Sequence, residues 1–244
     1  MEMDDPGIGE RRAMFPRGLE QPHGSYRFGA DALALAKMTA ELPLAENAAL
    51  CELGTCCGAA AFAVLLDRPG WIAVGLEKEE SLCSAAMRNA RALGLGGRFC
   101  AVCGDAGDPS ALLTARGILG GFDGLGSGGL FDAVFCNPPW KDPLSGRVPP
   151  GSLRREALFA APETMGIFFS AADCLLKNRG SLVAIAGSRR TADMLAALPD
   201  RLHPERLHFF LPRPGADAEL TVLMARKNGR ARLKVSVSML QEQA

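Results

Sequence analysis

Asn137, Pro138, Pro139 and Trp140 form a tetrapeptide in which two prolines stand between a side-chain amide and a large aromatic ring. Neither proline has a backbone N–H, so their carbonyls are held outward without competing ladder hydrogen bonds. The Asn137 side-chain oxygen and the Pro138 carbonyl are therefore expected to accept both hydrogens of a planar NH₂ group. Trp140 offers a flat face on which a base can stack. Because such acceptors favour a pyramidal nitrogen with an exposed lone pair, the tetrapeptide predicts attack of an amine on an electrophilic methyl group.

A second segment, residues 52–60, joins a predicted strand to a predicted helix. Gly54 and Gly58 let the backbone approach a ligand closely, and the start of the helix offers free N–H groups. Glu77 ends the next predicted strand, where a carboxylate can accept both hydroxyls of a ribose. Asp105 ends the third predicted strand and is expected to accept from an adenine amino group. Together these residues predict a site for an adenosine-containing ligand.

Three residues favour S-adenosylmethionine over a nicotinamide cofactor as that ligand. Cys56 stands where a dinucleotide fingerprint has glycine and would crowd a pyrophosphate. Glu52 suits a cationic ammonium and sulfonium better than an anionic phosphate. Tyr26, the single tyrosine, has no lysine four residues on, as a short-chain dehydrogenase would require. The predicted cofactor site comprises Asp31, Glu52, Gly54, Thr55, Cys56, Gly58, Glu77, Lys78, Asp105, Ala106 and Asn137.

The elements that position these residues alternate between strands and helices. Nearly continuous apolar runs predict strands that are covered on both faces, at residues 48–52, 71–77, 99–104, 131–137 and 181–186. Helices are predicted at residues 32–42, with Asp31 as the amino-terminal cap, and at 59–66, 79–93, 109–118 and 161–177. This alternation predicts an α/β fold of the Rossmann-like type, with helices on both faces of a mostly parallel sheet.

The last quarter of the chain is strand-like, at residues 206–211, 220–225 and 232–238, with almost no helix between the runs. Short connections of this kind join antiparallel strands, so we expect an antiparallel carboxyl-terminal hairpin at the sheet edge. No linker interrupts the sequence, which predicts one domain over residues 1–244. Residues 1–46 are expected to be an amino-terminal extension with one helix, and residues 47–244 the Rossmann-like core.

The composition excludes several classes of protein. Of the 244 residues 48% are hydrophobic and 22% charged, which excludes a disordered or fibrous chain. The net charge of +0 argues against a general nucleic-acid coat protein, so any contact with nucleic acid must be local. Residues 201–234 carry such a local excess, with eight Arg or Lys against three acids. Near the predicted target pocket, Lys141, Arg154 and Arg155 are expected to hold phosphates beside a splayed base.

The eight cysteines are expected to be reduced thiols and not metal ligands. Cys51, Cys100, Cys103 and Cys136 fall in predicted strands, where cysteine behaves as a small buried hydrophobe. No export signal and no apolar run long enough to span a bilayer is visible, which predicts a cytoplasmic protein with no membrane partner.

In this order, Glu52-x-Gly-x-x-x-Gly58, Glu77, Gly104-Asp105 and Asn137-Pro-Pro-Trp140 resemble a class I S-adenosylmethionine-dependent methyltransferase of the amino-methylating branch. With residues 26–36, 154–156 and 175–180, the chain resembles the bacterial tRNA(Val) adenine-N6 methyltransferase family over roughly residues 15–240. The resemblance implies a seven-stranded sheet with a final antiparallel strand. It further implies tRNA as partner and methylation of an adenine next to an anticodon.

Carried over from that family, Asn137 to Trp140 form the target pocket, Trp140 with Lys141, Arg154 and Arg155 contacts the substrate, and Gly54 and Gly58 shape the cofactor turn. Two residues depart from the family pattern: Cys56 replaces the common glycine, and Trp140 replaces the more usual Tyr or Phe. Two other functions remain open, a protein glutamine amide methyltransferase and a non-catalytic S-adenosylmethionine-binding module. The sequence leaves the oligomeric state open.

Overall fold

A computed structural model describes residues 6–25, 27–122, 129–139 and 163–240. Within these residues the chain forms eight strands: β1 (Ala49–Leu53), β2 (Ile72–Glu77), β3 (Phe99–Cys103), β4 (Phe131–Cys136), β5 (Leu176–Gly187), β6 (Leu202–Leu211), β7 (Leu220–Lys227) and β8 (Lys234–Met239). The helices in the same residues are α1 (Pro6–Ala13), α2 (Ala30–Ala40), α3 (Ala59–Asp67), α4 (Glu80–Ala92), α5 (Pro109–Leu119), α6 (Thr164–Leu175) and α7 (Thr191–Ala196), with a 3₁₀ turn at Ser188–Arg190.

The strands form one sheet in the order β3-β2-β1-β4-β5-β7-β6-β8. Strands β1 to β5 pair in parallel, and β7 inserts antiparallel between β5 and β6. The predicted α/β fold and antiparallel carboxyl-terminal hairpin are therefore confirmed. The expected number of seven strands is wrong, because β8 adds an eighth strand that pairs in parallel with β6 at the edge.

Helices cover both faces of the sheet, as the continuous apolar strands predict. Strand β1 is buried along its whole length. Leu50 belongs to the core beneath α2, α3 and α4, whereas its neighbour Cys51 belongs to the core beneath α5, α6 and α7. Because successive residues of a strand point to opposite faces, a short buried strand fixes both layers at once.

The described part of the amino-terminal extension contains two helices, α1 and α2, and not the one that was expected. Two arginines of α1 bond to the end of α4: Arg11 Nε donates to the Ala92 carbonyl at 2.6 Å and Arg12 Nε to the Leu93 carbonyl at 2.7 Å. These are carbonyls that a helix end leaves without intrahelical partners, so α1 caps α4.

The prediction that Asp31 caps α2 is wrong. Gly29 is the N-cap, and Asp31 lies in the first turn of the helix. The Asp31 Oδ1 atom still accepts from the backbone N–H groups of Gly29 (3.2 Å) and Ala32 (3.0 Å). The acid therefore stabilises the start of the helix from inside it, and its other oxygen, Oδ2, accepts from Asn137 Nδ2.

The cysteines are only partly core residues. Cys51 and Cys136 are fully buried, as predicted, but Cys100 is half-buried and Cys103 is exposed. The reason is that β3 is an edge strand, which has a neighbour on one side only. Across the described part of the chain, no group of three or more metal-binding side chains comes together. None of the described helices is long and apolar enough to cross a membrane.

Candidate active site

The predicted site residues lie where the sheet changes direction. Strands β1 and β4 are neighbours, but the chain reaches β2 and β3 on one side of this pair and β5 on the other. In open α/β sheets such a switch point leaves a crevice at the carboxyl ends of the strands. Gly54 follows β1 and Asn137 follows β4, so the glycine turn and the tetrapeptide meet at this crevice.

The turn after β1 requires residues with left-handed backbone angles. Gly54 has φ of +71° and Gly58 has φ of +90°. A Cβ atom on Gly58 would also lie 2.3 Å from the Phe62 ring, so that position excludes any side chain. The backbone N–H groups of Gly54 and Thr55 donate to the Leu76 carbonyl at 2.8 and 3.1 Å, which ties the turn to the end of β2. The two glycines thus shape the turn, and binding of a cofactor at this turn stays a prediction.

Cys56 has a left-handed φ of +51° within the same turn. Residues with a Cβ adopt this region at a cost of roughly 1–2 kcal/mol. Cys56 is therefore held in this turn at the cost of backbone strain. The Cys56 N–H donates to Glu77 Oε2 at 2.8 Å, which helps to hold the residue in this conformation.

Replacing Cys56 with glycine is expected to stabilise the protein by up to about 1 kcal/mol, since the strain at positive φ is relieved while glycine's greater unfolded-state freedom offsets part of the gain. Urea unfolding of the wild type and of Cys56→Gly measures the difference. Cys56→Ala, which removes the thiol but keeps a Cβ, is the matched control and should show no such gain. Equal stability of the two variants would contradict the strain at this residue.

Glu77 is 5% exposed and lies at the end of β2, directly beside the turn. Its Oε2 atom accepts from the Cys56 N–H and its Oε1 atom from the Glu79 N–H at 3.0 Å. Burial raises the pKa of Glu77, and the two backbone hydrogen bonds oppose that rise. A carboxylate offers about four acceptor positions, so this geometry leaves capacity for further hydroxyl donors.

Glu52 is also buried, but its carboxylate is engaged within the turn. The Glu52 Oε2 atom accepts from Thr55 Oγ1 at 2.6 Å and from the Ala61 N–H at 3.2 Å. Burial raises the pKa of Glu52 to about 8, while these hydrogen bonds act in the opposite direction. The structure therefore gives Glu52 and Thr55 a role in holding the turn to the start of α3. Contact of Glu52 with a cationic ligand stays a prediction.

The raised pKa of Glu52 makes stability depend on pH. Between the unfolded value near 4.3 and about 8, the folded protein binds more protons at this group than the unfolded chain does. The free energy of unfolding therefore falls as pH rises through this window. Glu52→Gln keeps an acceptor oxygen for both donors, and we expect its stability relative to wild type to increase from pH 5 to pH 8 in urea unfolding. Exposed Glu46→Gln is the control; a constant difference for Glu52→Gln would contradict the shift.

Asn137 is held by the buried acid Asp31. The Asn137 Nδ2 atom donates to Asp31 Oδ2 at 2.8 Å. Because a carboxylate only accepts hydrogen bonds, this contact fixes which end of the amide faces Asp31. The other end, Asn137 Oδ1, is shielded from solvent and has no hydrogen-bond partner in the described residues. Pro138 is buried and Pro139 half-buried.

The remaining predicted residues differ in their surroundings. Asp105 is exposed, and its Oδ1 atom accepts from the Gly107 N–H at 2.7 Å. Lys78 is exposed beside Glu77, and Ala106 is half-buried. These three residues follow β2 and β3, at the same carboxyl ends of the strands as Asn137. The candidate site therefore extends across the sheet from β4 to β3. Trp140, Lys141, Arg154 and Arg155 lie outside the described residues.

Sequence reasoning missed Asn89, a buried residue of α4 that joins the amino-terminal extension to the glycine turn. Its Nδ2 atom donates to the Cys57 and Glu20 carbonyls at 3.0 Å each, and its Oδ1 atom accepts from the Glu20 N–H at 2.8 Å. The neighbouring Arg88 makes a bidentate ion pair with the Glu20 carboxylate. The sequence does contain a signal for this residue, a polar side chain beside the apolar stripe of α4. Its partners are far away in the sequence, so the pattern alone could not identify them.

No family model and no curated protein matches the chain, but solved structures do. A predicted O-methyltransferase from Agrobacterium tumefaciens is similar over 86% of each chain, at 20% identity with a TM-score of 0.64. The chain has the fold of S-adenosylmethionine-dependent methyltransferases. A TehB-like S-adenosylmethionine-dependent methyltransferase from Corynebacterium glutamicum matches 90% of this chain and 95% of its own, at 15% identity with a TM-score of 0.51. A candidate RNA methyltransferase from Pyrococcus horikoshii matches 92% and 99%, at 15% identity with a TM-score of 0.55.

The similarity to methyltransferase structures is consistent with a cofactor site in the crevice at the carboxyl ends of β1 and β4. Gly54 and Gly58 place no side chains at the crevice, so a ligand can approach the backbone of the turn. The Glu77 carboxylate beside the turn retains capacity to accept hydrogen bonds. The residues present therefore fit an adenosine-containing methyl donor. Asn137, which follows the neighbouring strand β4, presents at the same crevice an acceptor oxygen without a hydrogen-bond partner in the described residues.

Proposed function

We propose that the protein is an S-adenosylmethionine-dependent N-methyltransferase that acts on the N6 amine of an adenine in RNA, with tRNA as the substrate class. The observation that carries this proposal is the Asn137 amide, whose nitrogen is occupied by Asp31 and whose oxygen has no described partner. A shielded polar atom without a partner costs roughly 1–3 kcal/mol. An NH₂ donor brought by a substrate would remove that cost.

Asn137 Oδ1 and the Pro138 carbonyl would each accept one hydrogen of the adenine amine. The amine is a poor nucleophile because its lone pair is delocalised into the ring. Two acceptors away from the ring plane favour the pyramidal nitrogen and so expose the lone pair. No general base is needed before transfer, since the nitrogen loses its proton readily once it carries the methyl group and a positive charge. Catalysis here is mainly positioning.

The Glu77 carboxylate and the backbone of the glycine turn would hold S-adenosylmethionine, with Glu77 accepting from the ribose hydroxyls. When bound, this cofactor supplies an electrophilic methyl group on a sulfonium. We assign Asp105 to the adenine amino group of the cofactor, and Lys78 and Ala106 to the walls of its pocket. Asp31 acts as a positioning residue, because it orients the Asn137 amide and stabilises the first turn of α2.

Two considerations support RNA as the substrate. The sequence resembles the tRNA(Val) adenine-N6 methyltransferase family in the order and spacing of its motifs, and one solved structure of this fold belongs to a candidate RNA methyltransferase. The base would be extruded from the RNA and stacked on Trp140, with Lys141, Arg154 and Arg155 contacting the flanking phosphates.

Incubation with S-adenosylmethionine carrying a labelled methyl group tests the proposal against its main rival. With total RNA and total protein offered separately, we expect label in tRNA, and N6-methyladenosine after digestion to nucleosides. Label in protein instead would favour glutamine amide methylation, since a carboxamide NH₂ presents the same chemical problem. Absence of S-adenosylhomocysteine in both reactions would favour a non-catalytic binding module.

A further inference from the structure

A cavity of about 200 Å³ lies away from the candidate active site, on the sheet face that α2 covers. Its walls come from β5, β6, β7 and β8 and from the residues that follow α2, Glu41 to Pro43. Helix α2 starts at the active site, where Asp31 bonds to Asn137, and its last turn leads to the cavity. Because an α-helix rises 1.5 Å per residue, the 11 residues of α2 place the cavity roughly 16 Å from Asn137.

The register of the strands places several side chains on the same face of the sheet, where they line this cavity. Ser181 of β5 pairs with Arg226 of β7, and Arg206 of β6 pairs with both Met224 of β7 and Lys234 of β8. Directly paired residues point to the same face of a sheet. These residues all line the cavity, so the strand pairing itself concentrates cationic side chains there.

The cations that line the cavity outnumber the acids. Arg226 is neutralised, because its Nε atom donates to both carboxylate oxygens of Glu205 at 2.8 and 2.9 Å. Arg206, Arg232 and Lys234 have no side-chain hydrogen bond or ion pair within the described residues, and Glu41 is the one further acid that lines the cavity.

Ser181 lines the cavity from the central strand β5 and is 3% exposed. Its hydroxyl has no hydrogen-bond partner among the residues that the structure describes. A buried hydroxyl without a partner is unusual in a folded protein. A half-buried arginine, two exposed cations and an unpaired hydroxyl around one cavity match the chemistry of a phosphate group, which takes several donors and carries negative charge.

We propose that this cavity binds a backbone phosphate of the substrate RNA, several nucleotides from the methylated base. The inference rests on the proposed function, because it names a second contact of the same substrate. The basic segment 201–234 contributes all four cations of the cavity, which gives its uneven charge a role. A phosphate held about one helix length from Asn137 makes binding depend on the length of the RNA as well as on its target base.

The test compares Arg206→Gln and the double variant Arg206→Gln/Lys234→Gln with wild type, using total tRNA and a trinucleotide that contains adenine. Arg91→Gln is the control, because Arg91 is an exposed arginine of α4, which packs on β3 at the opposite edge of the sheet from β8, and its replacement removes the same charge. We expect KM for tRNA to rise roughly 3- to 10-fold for each cation removed, with kcat unchanged. The slope of log affinity against log salt should fall by roughly 0.7–0.9 for each lost contact.

Transfer to the trinucleotide should be equally fast in all four proteins, since it is too short to reach the cavity. Ser181→Ala should weaken tRNA binding without changing the salt slope, because no charge is removed. If the double variant and Arg91→Gln share the wild-type KM and salt slope while tRNA is methylated, the cavity has no role in RNA binding and the proposed function stands. If wild type methylates protein and not tRNA, the proposed function itself fails.

Discussion

Asn137→Ala is expected to reduce methyl transfer at least about 100-fold while cofactor affinity changes less than a few-fold. The variant removes the unpaired Oδ1 acceptor, and loss of one positioned hydrogen-bonding group from a transition-state site typically costs a factor of 10²–10³. Cofactor affinity is expected to change little, because the Asn137 amide bonds to Asp31 and makes no hydrogen bond to the glycine turn or to Glu77 among the described residues. Labelled-methyl transfer to tRNA and calorimetric titration with S-adenosylmethionine measure the two quantities on the same preparation.

A reciprocal exchange provides the control for this experiment. In Asn137→Asp alone, two carboxylates face each other at the 2.8 Å contact and activity should also be lost. In Asp31→Asn/Asn137→Asp, the amide of residue 31 can donate to the new carboxylate, whose second oxygen remains an acceptor for substrate. We expect partial recovery of activity in the double variant. Equal loss of transfer and cofactor affinity in Asn137→Ala, or no recovery by exchange, would refute the assigned role.

The sequence was sufficient to predict the sheet because its central strands are buried on both faces. Such strands read as continuous apolar runs, and the predicted starts and ends of the first four lie within one residue of β1 to β4. The residues that follow parallel strands then lie at one edge of the sheet. For this reason Glu77 and Asn137 could be assigned to the same crevice without coordinates.

The contacts that lock the site could not be predicted, because they join residues that are distant in sequence. Asp31 and Asn137 are 106 positions apart, and the predicted cap role of Asp31 used only its local neighbours. In the structure Gly29 is the cap, and Asp31, in the first turn of the helix, accepts from Asn137 through its Oδ2 atom. Similarly, the left-handed angle of Cys56 depends on its bond to Glu77, which no local rule includes.

Edges were harder to predict than the centre of the sheet. β5 begins at Leu176, five residues before its predicted start, directly where α6 ends. Residues 232–238 were predicted to be strand-like, but the family resemblance implied seven strands, whereas the sheet has eight. Cys103 was expected in the core, whereas the edge position of β3 leaves it exposed. The sequence pattern thus predicts whether a segment is a strand. Where the strand begins, and which strands lie beside it, depend on the assembled fold.

Glu77→Ala should weaken S-adenosylmethionine binding by roughly 10- to 100-fold or more. A hydrogen bond to a charged group contributes roughly 1.5–3 kcal/mol, and a ribose offers Glu77 two hydroxyl donors. The Cys56 N–H also loses its acceptor in this variant, so the turn that faces the cofactor becomes less ordered. Calorimetric titration with S-adenosylmethionine and with S-adenosylhomocysteine should show the same loss, because both carry the ribose.

One further variant, a shorter ligand and the pH dependence of affinity test the ribose contact of Glu77. Glu77→Gln keeps one acceptor oxygen but replaces the other with a donor, so it should bind the cofactor more weakly than wild type and more tightly than Glu77→Ala. Adenosine alone should lose about the same factor as the full cofactor, since it carries the ribose but no methionine. Because burial raises the pKa of Glu77, wild-type affinity should fall as pH decreases and the carboxylate is protonated, whereas the affinity of Glu77→Ala should lack that component. Wild-type affinity in a folded Glu77→Ala protein would place the ribose elsewhere.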